Sequence, residues 1–372
     1  MQAKPPLWLM LALLMFPQIV ETIYSPALGS ISQAFSVSYP AASQTLSVYF
    51  VAFAMGVAVW GILADKWGRR PAMLTGLFIY GVSAMVAMQT ANFAILMAAR
   101  ACSAFGIAVG SIVTQTMLRD SFTGEELGKV FSVMGVGMAI SPVIGMFSGG
   151  QLVQTGGHEM VFLALFIMAL GLFVCCLAGL PETQTNRQVL QLATLSQRML
   201  RDLQIWRSAM LVCLYNIVLF SYYQLGGFHF AGLGLTPDQF GYSGLVLGLG
   251  SLIGSYINKI LLSRKTTQDK LLQGAAVLLM LGAVTVFLIL DTIWFLAPMI
   301  LIVMAFGIAI PNVLSMALSQ YRSQAGSAGA LFGLIYYLFI GGGLALAGVA
   351  QNLGLVLITC ASVVFLVTFI QK

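Results

Sequence analysis

Apolar residues dominate twelve stretches of this chain, and polar residues collect in the gaps between them. The stretches cover residues 7–27, 44–64, 72–90, 93–115, 127–152 and 161–180, then 210–230, 241–261, 271–290, 294–314, 328–349 and 353–369. Each approaches the roughly 20 apolar residues that an α-helix needs to cross a bilayer core. The pattern predicts an all-α membrane protein of twelve transmembrane helices. The longest polar stretch lies between the sixth and seventh. It divides the chain into an N-terminal six-helix bundle (1–181), a linker (182–207) and a C-terminal six-helix bundle (208–372).

Composition sharpens this picture. Of 372 residues, 59% are hydrophobic and 8% charged, against about 25% charged in a soluble domain. Mean hydropathy is +0.96. The net charge of +6 forms no stripe that would fit nucleic acid. It has a topological explanation: with the N-terminus inside, every Lys and Arg but Arg100 falls in an inner segment, and the outer loops hold only His158, Glu159, Asp238 and Asp291. Positive charge marks the cytoplasmic side, so both termini are expected there, in a bacterial-type inner membrane. The first span lacks an A-x-A cleavage site and carries Glu21, so it is expected to be retained. The five cysteines lie within apolar spans and give neither a disulfide framework nor a metal spacing. No metal or other cofactor is expected. No catalytic triad or phosphate loop appears, and the glycines of helices eight and eleven, outside any strand–turn–helix, read as close helix packing.

Two ionisable residues stand alone inside apolar spans, Glu21 and Arg100. An isolated charge in hydrocarbon costs about 3 kcal/mol or more, so such groups face a partner or a water-filled path. The first helix runs outward and the fourth inward. Counting from their outer ends at 1.5 Å per residue puts both residues roughly 10 Å deep, the equal depth that pairing requires. Pro17, one turn before Glu21, frees the carbonyl of Leu13 and is expected to kink the helix. Glu21 is the expected proton carrier and Arg100 its partner. A static ion pair pinning two helices is the competing account. Tyr24 and Tyr49 in the first half, with Asn216, Tyr222, Tyr223, Gln224 and Tyr336 in the second, are candidate substrate contacts, since aromatic bodies with polar tips suit amphiphilic ligands. Interhelical hydrogen bonding is the plainer use of each. Asn312, after Pro311, is a candidate kink or gate.

Gly61-Ile-Leu-Ala-Asp65-Lys66-Trp67-Gly68-Arg69-Arg70 matches the G-x-L-A-D-x-x-G-R-R signature of the major facilitator superfamily. Gly61 is expected to let helices approach closely. Asp65 is expected to take charge-assisted hydrogen bonds beside Lys66, Arg69 and Arg70, forming a conformational latch. A solvated basic loop would carry the same cations, but not the acid and the glycine spacing. Glu21-Thr-Ile-Tyr24-Ser-Pro26-Ala27-Leu28 resembles the first helix of drug:proton antiporters of the bicyclomycin and chloramphenicol resistance type, with Glu where that subfamily has Asp. Arg100-Ala-Cys-Ser103-Ala104-Phe-Gly106 resembles the fourth-helix motif, with Ser103 replacing its Gln. Ser141, Pro142, Gly145, Gly149 and Gly150 resemble the antiporter motif of helix five, and Leu180-Pro181-Glu182-Thr183 the end of helix six.

The resemblance implies two pseudo-symmetric bundles rocking about a midplane site. The expected function is proton-coupled export of a small, drug-like amphiphilic compound by a monomer in the lipid bilayer. Proton-coupled uptake or export of a specific metabolite or siderophore is the alternative within transport. A membrane-embedded enzyme or receptor is the alternative outside it, disfavoured by the lack of a second positioned acid or nucleophile and of a folded extramembrane domain.

Overall fold

The computed structural model describes residues 4–184 and 192–369. Among them it contains helices and turns and no strand. We number the spanning helices α1 (Leu7–Ala34), α2 (Tyr39–Trp67), α3 (Arg69–Gln89) and α4 (Phe93–Ser121). Next comes a continuous 56-residue helix, Gly124–Gly179. It would be over 80 Å long if straight, by about 1.5 Å per residue, which is too long for one crossing. It bends at Gly156 and Gly157, where Gly157 takes φ 65° and ψ −158°, a region open to glycine alone. The bend separates α5 (124–155) from α6 (158–179). The second half holds α7 (Leu203–Gly232), α8 (Pro237–Ser263), α9 (Gln268–Ile289), α10 (Leu296–Ala317), α11 (Ala325–Ala350) and α12 (Leu353–Phe369). All are long and apolar enough to cross a bilayer except the shorter α12, which is 17 residues.

Some helices run up to seven residues past the expected spans, and end-capping residues mark several of the ends. Ser38 accepts the amide of Ala41, Asn92 those of Ala94 and Ile95, Asp202 that of Gln204, and Asn352 that of Leu355. The linker is shorter than expected: Leu192–Leu200 is itself helical and α7 begins at Leu203. The basic positions Arg187 and Lys372 lie outside the described residues.

Large apolar side chains such as Phe78, Leu249, Leu288, Trp294 and Leu346 cover the outer surface, as a hydrocarbon solvent permits. Inside, α1 and α7 are the most buried helices. The two halves meet along α2 against α11, α5 against α8, and the far part of α1 against α7. Glycines allow the closest approaches. A Cβ at Gly150 of α5 would lie 2.9 Å from the Cα of Gly241 of α8, and one at Gly254 of α8 2.7 Å from the Cα of Met304 of α10.

α1 departs from expectation. It runs through Pro17 as a helix; the freed Leu13 carbonyl faces Gly110 of α4. The interruption comes later, at Tyr24, where Ser25–Ala27 form a 3₁₀ turn with Pro26 unable to donate a helical hydrogen bond. The helix then resumes to Ala34. On α5, a Cβ at Gly145 would fall on the Thr22 hydroxyl, and one at Gly149 on the Ile23 carbonyl. These two glycines therefore let α5 lie against the backbone of α1 beside Glu21.

Substituting Gly149→Val should destabilise the protein by about 1–3 kcal/mol, the usual scale of overpacking. Gly171→Val, where nothing lies within 4 Å, should not. Thermal unfolding in detergent checks the contrast.

Candidate functional site

Glu21 and Arg100 are both buried, at 2% and 1% exposure, so neither faces lipid. They do not form an ion pair. Neither takes part in a salt bridge within 4.0 Å, and neither the Glu21 Oε1 nor the Arg100 Nε and Nη2 atoms has a hydrogen-bond partner. The charges still act on each other electrostatically. Arg100 has aromatic neighbours instead. The guanidinium carbon of Arg100 sits 3.8 Å from the ring centre of Tyr24 and 4.7 Å from that of Tyr49. Cation–π attraction of this kind is worth about 2 kcal/mol or more when water is absent. Tyr24 lies three residues beyond Glu21, one helical turn along the same side.

Glu21 lines a central cavity of about 160 Å³. Gln18 and Thr22 of α1 flank it. Met138, Ala139, Pro142 and Val143 of α5 and Asn216, Leu219, Phe220 and Tyr223 of α7 form two walls. The remainder comes from Gly244, Leu247, Gly248 and Ser251 of α8, Val303 and Phe306 of α10, and Tyr337 of α11. The mix of apolar wall and few polar groups is typical of small-molecule sites.

The candidate substrate residues separate. Asn216 and Tyr223 line the cavity. Tyr24 and Tyr49 face Arg100 instead. The Tyr222 hydroxyl donates to Ser243 at 2.5 Å. Tyr336 packs on Tyr337, ring centres 4.5 Å apart, behind the wall. Gln224 reaches across the halves: its amide nitrogen contacts the Ser43 carbonyl at 2.9 Å, the Leu344 carbonyl at 3.1 Å and the Ser47 hydroxyl at 3.3 Å. Asn312 donates to Asn258 at 2.8 Å and to the Ile308 carbonyl, tying α10 to α8 rather than gating. Sequence reasoning missed Gln18, Phe220, Ser251 and Phe306. Only Gln18 carried a signal, as a polar residue one turn before Glu21.

Every hydrogen bond between the two halves, among the described residues, lies toward the end of the bundle remote from Lys4. Besides Gln224, the Ser25 hydroxyl donates to the Tyr223 carbonyl, Gln44 to the Ala345 carbonyl and Gln351 to Ser43. The opposite end carries the charged motif. There Arg69 bridges Asp65, at 2.5 Å, and Asp120, at 3.1 Å. Glu182 caps the start of α3, accepting the amides of Arg69 and Arg70 at 3.0 Å each. Gln184 donates to the Asp65 carbonyl and Arg70 to the Leu177 carbonyl. Gly68 takes φ 107°, and a Cβ there would press on Glu182. Gly61 has nothing within 4 Å, so it does not mediate a close helix approach. Lys66 is exposed and outside the network. All these partners belong to the first half and the start of the linker. In the helix-five motif, the Ser141 hydroxyl bonds back to the Gly137 carbonyl. Pro142 reaches the cavity, Gly145 and Gly149 contact α1, and Gly150 contacts α8.

The sequence profile of the Major Facilitator Superfamily matches residues 8–346. The chain belongs to this superfamily. It is 29% identical to an uncharacterized transporter of Rickettsia bellii, over 91% of this chain and 88% of that one. It is 25% identical to a bicyclomycin resistance protein homolog of Haemophilus influenzae, over 87% and 83% of the two chains. The crystal structure of a D-xylose-proton symporter superposes with a TM-score of 0.73 over 96% of both chains, at 17% identity. A major facilitator fold of two helix bundles around a central cavity is thus established, and with it a membrane transporter rather than an enzyme.

Gly68→Ala should lower the melting temperature clearly, because it strains the backbone and displaces the Glu182 cap. Gly61→Ala should leave it unchanged or raise it, since Ala favours a helix over Gly by about 1 kcal/mol. Side-by-side thermal unfolding reads the difference.

Proposed function

We propose that this protein is a proton-coupled exporter of a small amphiphilic organic compound, working by alternating access. The observation that carries the reading is the Glu21 carboxylate, buried without a cation in contact among the described residues and lining a central cavity of about 160 Å³. Such a group holds or releases a proton according to which side of the membrane hydrates it and whether cargo sits beside it. A single carboxylate serving both makes proton and cargo compete, and competition couples their opposite movements. Each proton entering down a potential of 100 mV supplies about 2.3 kcal/mol.

The distribution of contacts supports the two-state part of the proposal. Among the described residues, hydrogen bonds join the halves at one end, and they involve neutral groups that separate and hydrate readily. At the other end the Asp65–Arg69–Asp120 network and the Glu182 cap hold the first half together as a unit. We assign this network the role of a latch that keeps α2, α3 and α4 rigid as the halves rock, with Asp65, Gly68, Arg69 and Arg70 as its core. The resistance named in the Haemophilus relative favours export over uptake.

Glu21→Gln should reduce proton-driven flux in proteoliposomes by about tenfold or more, the scale of losing a proton-transfer group. Its thermal stability should match or exceed the wild type, because an amide of the same size replaces a buried carboxyl that has no cation partner. Flux at the wild-type rate would remove Glu21 as carrier. Growth under drug challenge, set against accumulation of the same drug, decides the direction of transport.

A further inference from the structure

Two walls of the central cavity, one in each half, present bare hydrogen-bond acceptors. Met138 and Pro142 of α5 both line it, one helical turn apart. Pro142 lies inside the helix and has no N–H, so the Met138 carbonyl loses its helical donor. Residues four apart share a helix face, so this carbonyl lies on the side of α5 that the cavity occupies. In the other half, Asn216 of α7 lines the same space. Its Nδ2 atom donates to the Val212 carbonyl of its own helix at 2.7 Å. The amide is thereby fixed with its nitrogen engaged and Oδ1 left for the cavity; among the described residues no donor reaches that oxygen. The Thr22 hydroxyl is disposed differently: it donates to the Gln18 carbonyl at 2.9 Å and is turned toward Gly145 of α5. Phe220 and Phe306 add ring surface to the wall. The volume of about 160 Å³ suits a single small ring, since a cavity of about 150 Å³ holds benzene.

We propose that the Met138 carbonyl and the Asn216 Oδ1 atom are paired specificity determinants: they select an uncharged cargo that carries O–H or N–H donors, of the phenol or amide kind, over one of like shape without them. The proposal rests on the transporter reading above and adds the hydrogen-bonding class of the cargo. A donor that meets either acceptor gains a hydrogen bond out of reach of bulk water. A molecule without donors leaves both oxygens unpaired against its apolar edge, which is the usual ground on which a polar site rejects an analogue. A cargo with two donors also touches both halves at once, so its binding favours the arrangement in which they close on it.

Resorcinol and its dimethyl ether, one ring with O–H donors and the same ring without them, are the probes. Binding is measured by titration calorimetry on the purified protein in lipid nanodiscs, with empty discs subtracted. Asn216→Leu, close in size but lacking an acceptor, should weaken resorcinol binding by about fivefold, which is about 1 kcal/mol. Pro142→Ala, which returns an N–H to the Met138 carbonyl, should weaken it by about threefold or more. Neither variant should weaken the ether by more than about twofold, since the ether makes neither hydrogen bond. Should Asn216→Leu fail a thermal unfolding check, Asn216→Ala takes its place. No binding of resorcinol by the wild type, equal losses for the two probes, or wild-type resorcinol affinity in either variant would each overturn the proposal. Proton-driven counterflow of resorcinol is read separately in proteoliposomes. The expected binding pattern without flux keeps the acceptor pair and removes the transport reading; flux with equal losses for the two probes does the reverse.

Discussion

An unpaired carboxylate at the centre of a membrane protein is the constraint around which this structure is arranged. Hydrocarbon cannot solvate an ionised Glu21, and among the described residues no cation touches it. An ionised carboxylate there needs water or a partner from the cavity beside it. That requirement reaches into the packing. Gly145 and Gly149 bring α5 against the backbone of α1, fixing the segment that carries Glu21. One turn later, Pro26 and the 3₁₀ turn interrupt the helix so that its far part leans on α7.

Arg100 solves the opposite problem in a different way. A guanidinium is flat and weakly hydrated, and aromatic faces can take the place of part of its water. Two tyrosines do so here, leaving its long-range field acting on Glu21 without neutralising it. A direct ion pair would have been costly to break at every cycle, whereas removing one partner of a buried pair typically costs several kcal/mol.

The two ends of the bundle are held by different chemistry. One end joins the halves through amide, hydroxyl and carbonyl groups of Ser25, Ser43, Gln44, Tyr223, Gln224 and Gln351, each bond worth about 1 kcal/mol net. The other concentrates ionised side chains within the first half, around Arg69 and Glu182. Weak bonds between bodies and strong bonds within one suit a machine whose bodies must move as units.

The sequence by itself determined the spans, their number and the two lone charges, because burial in hydrocarbon imposes a one-dimensional rule: about 20 apolar residues per crossing, with polar groups excluded unless used. It also carried the superfamily signature in full. It did not determine which neighbour each helix face would meet. Depth along a helix follows from counting, so Glu21 and Arg100 could be set at one level. The lack of contact between them, the contact of Arg100 with the Tyr24 ring, the failure of Gly61 to mediate a contact, the bridging role of Gln224 and the cap supplied by Glu182 all depend on helix rotation and tilt. Those are set by side chains distant in sequence packing in three dimensions. Only the tertiary structure decided that one charge would face the cavity and the other would be enclosed in rings.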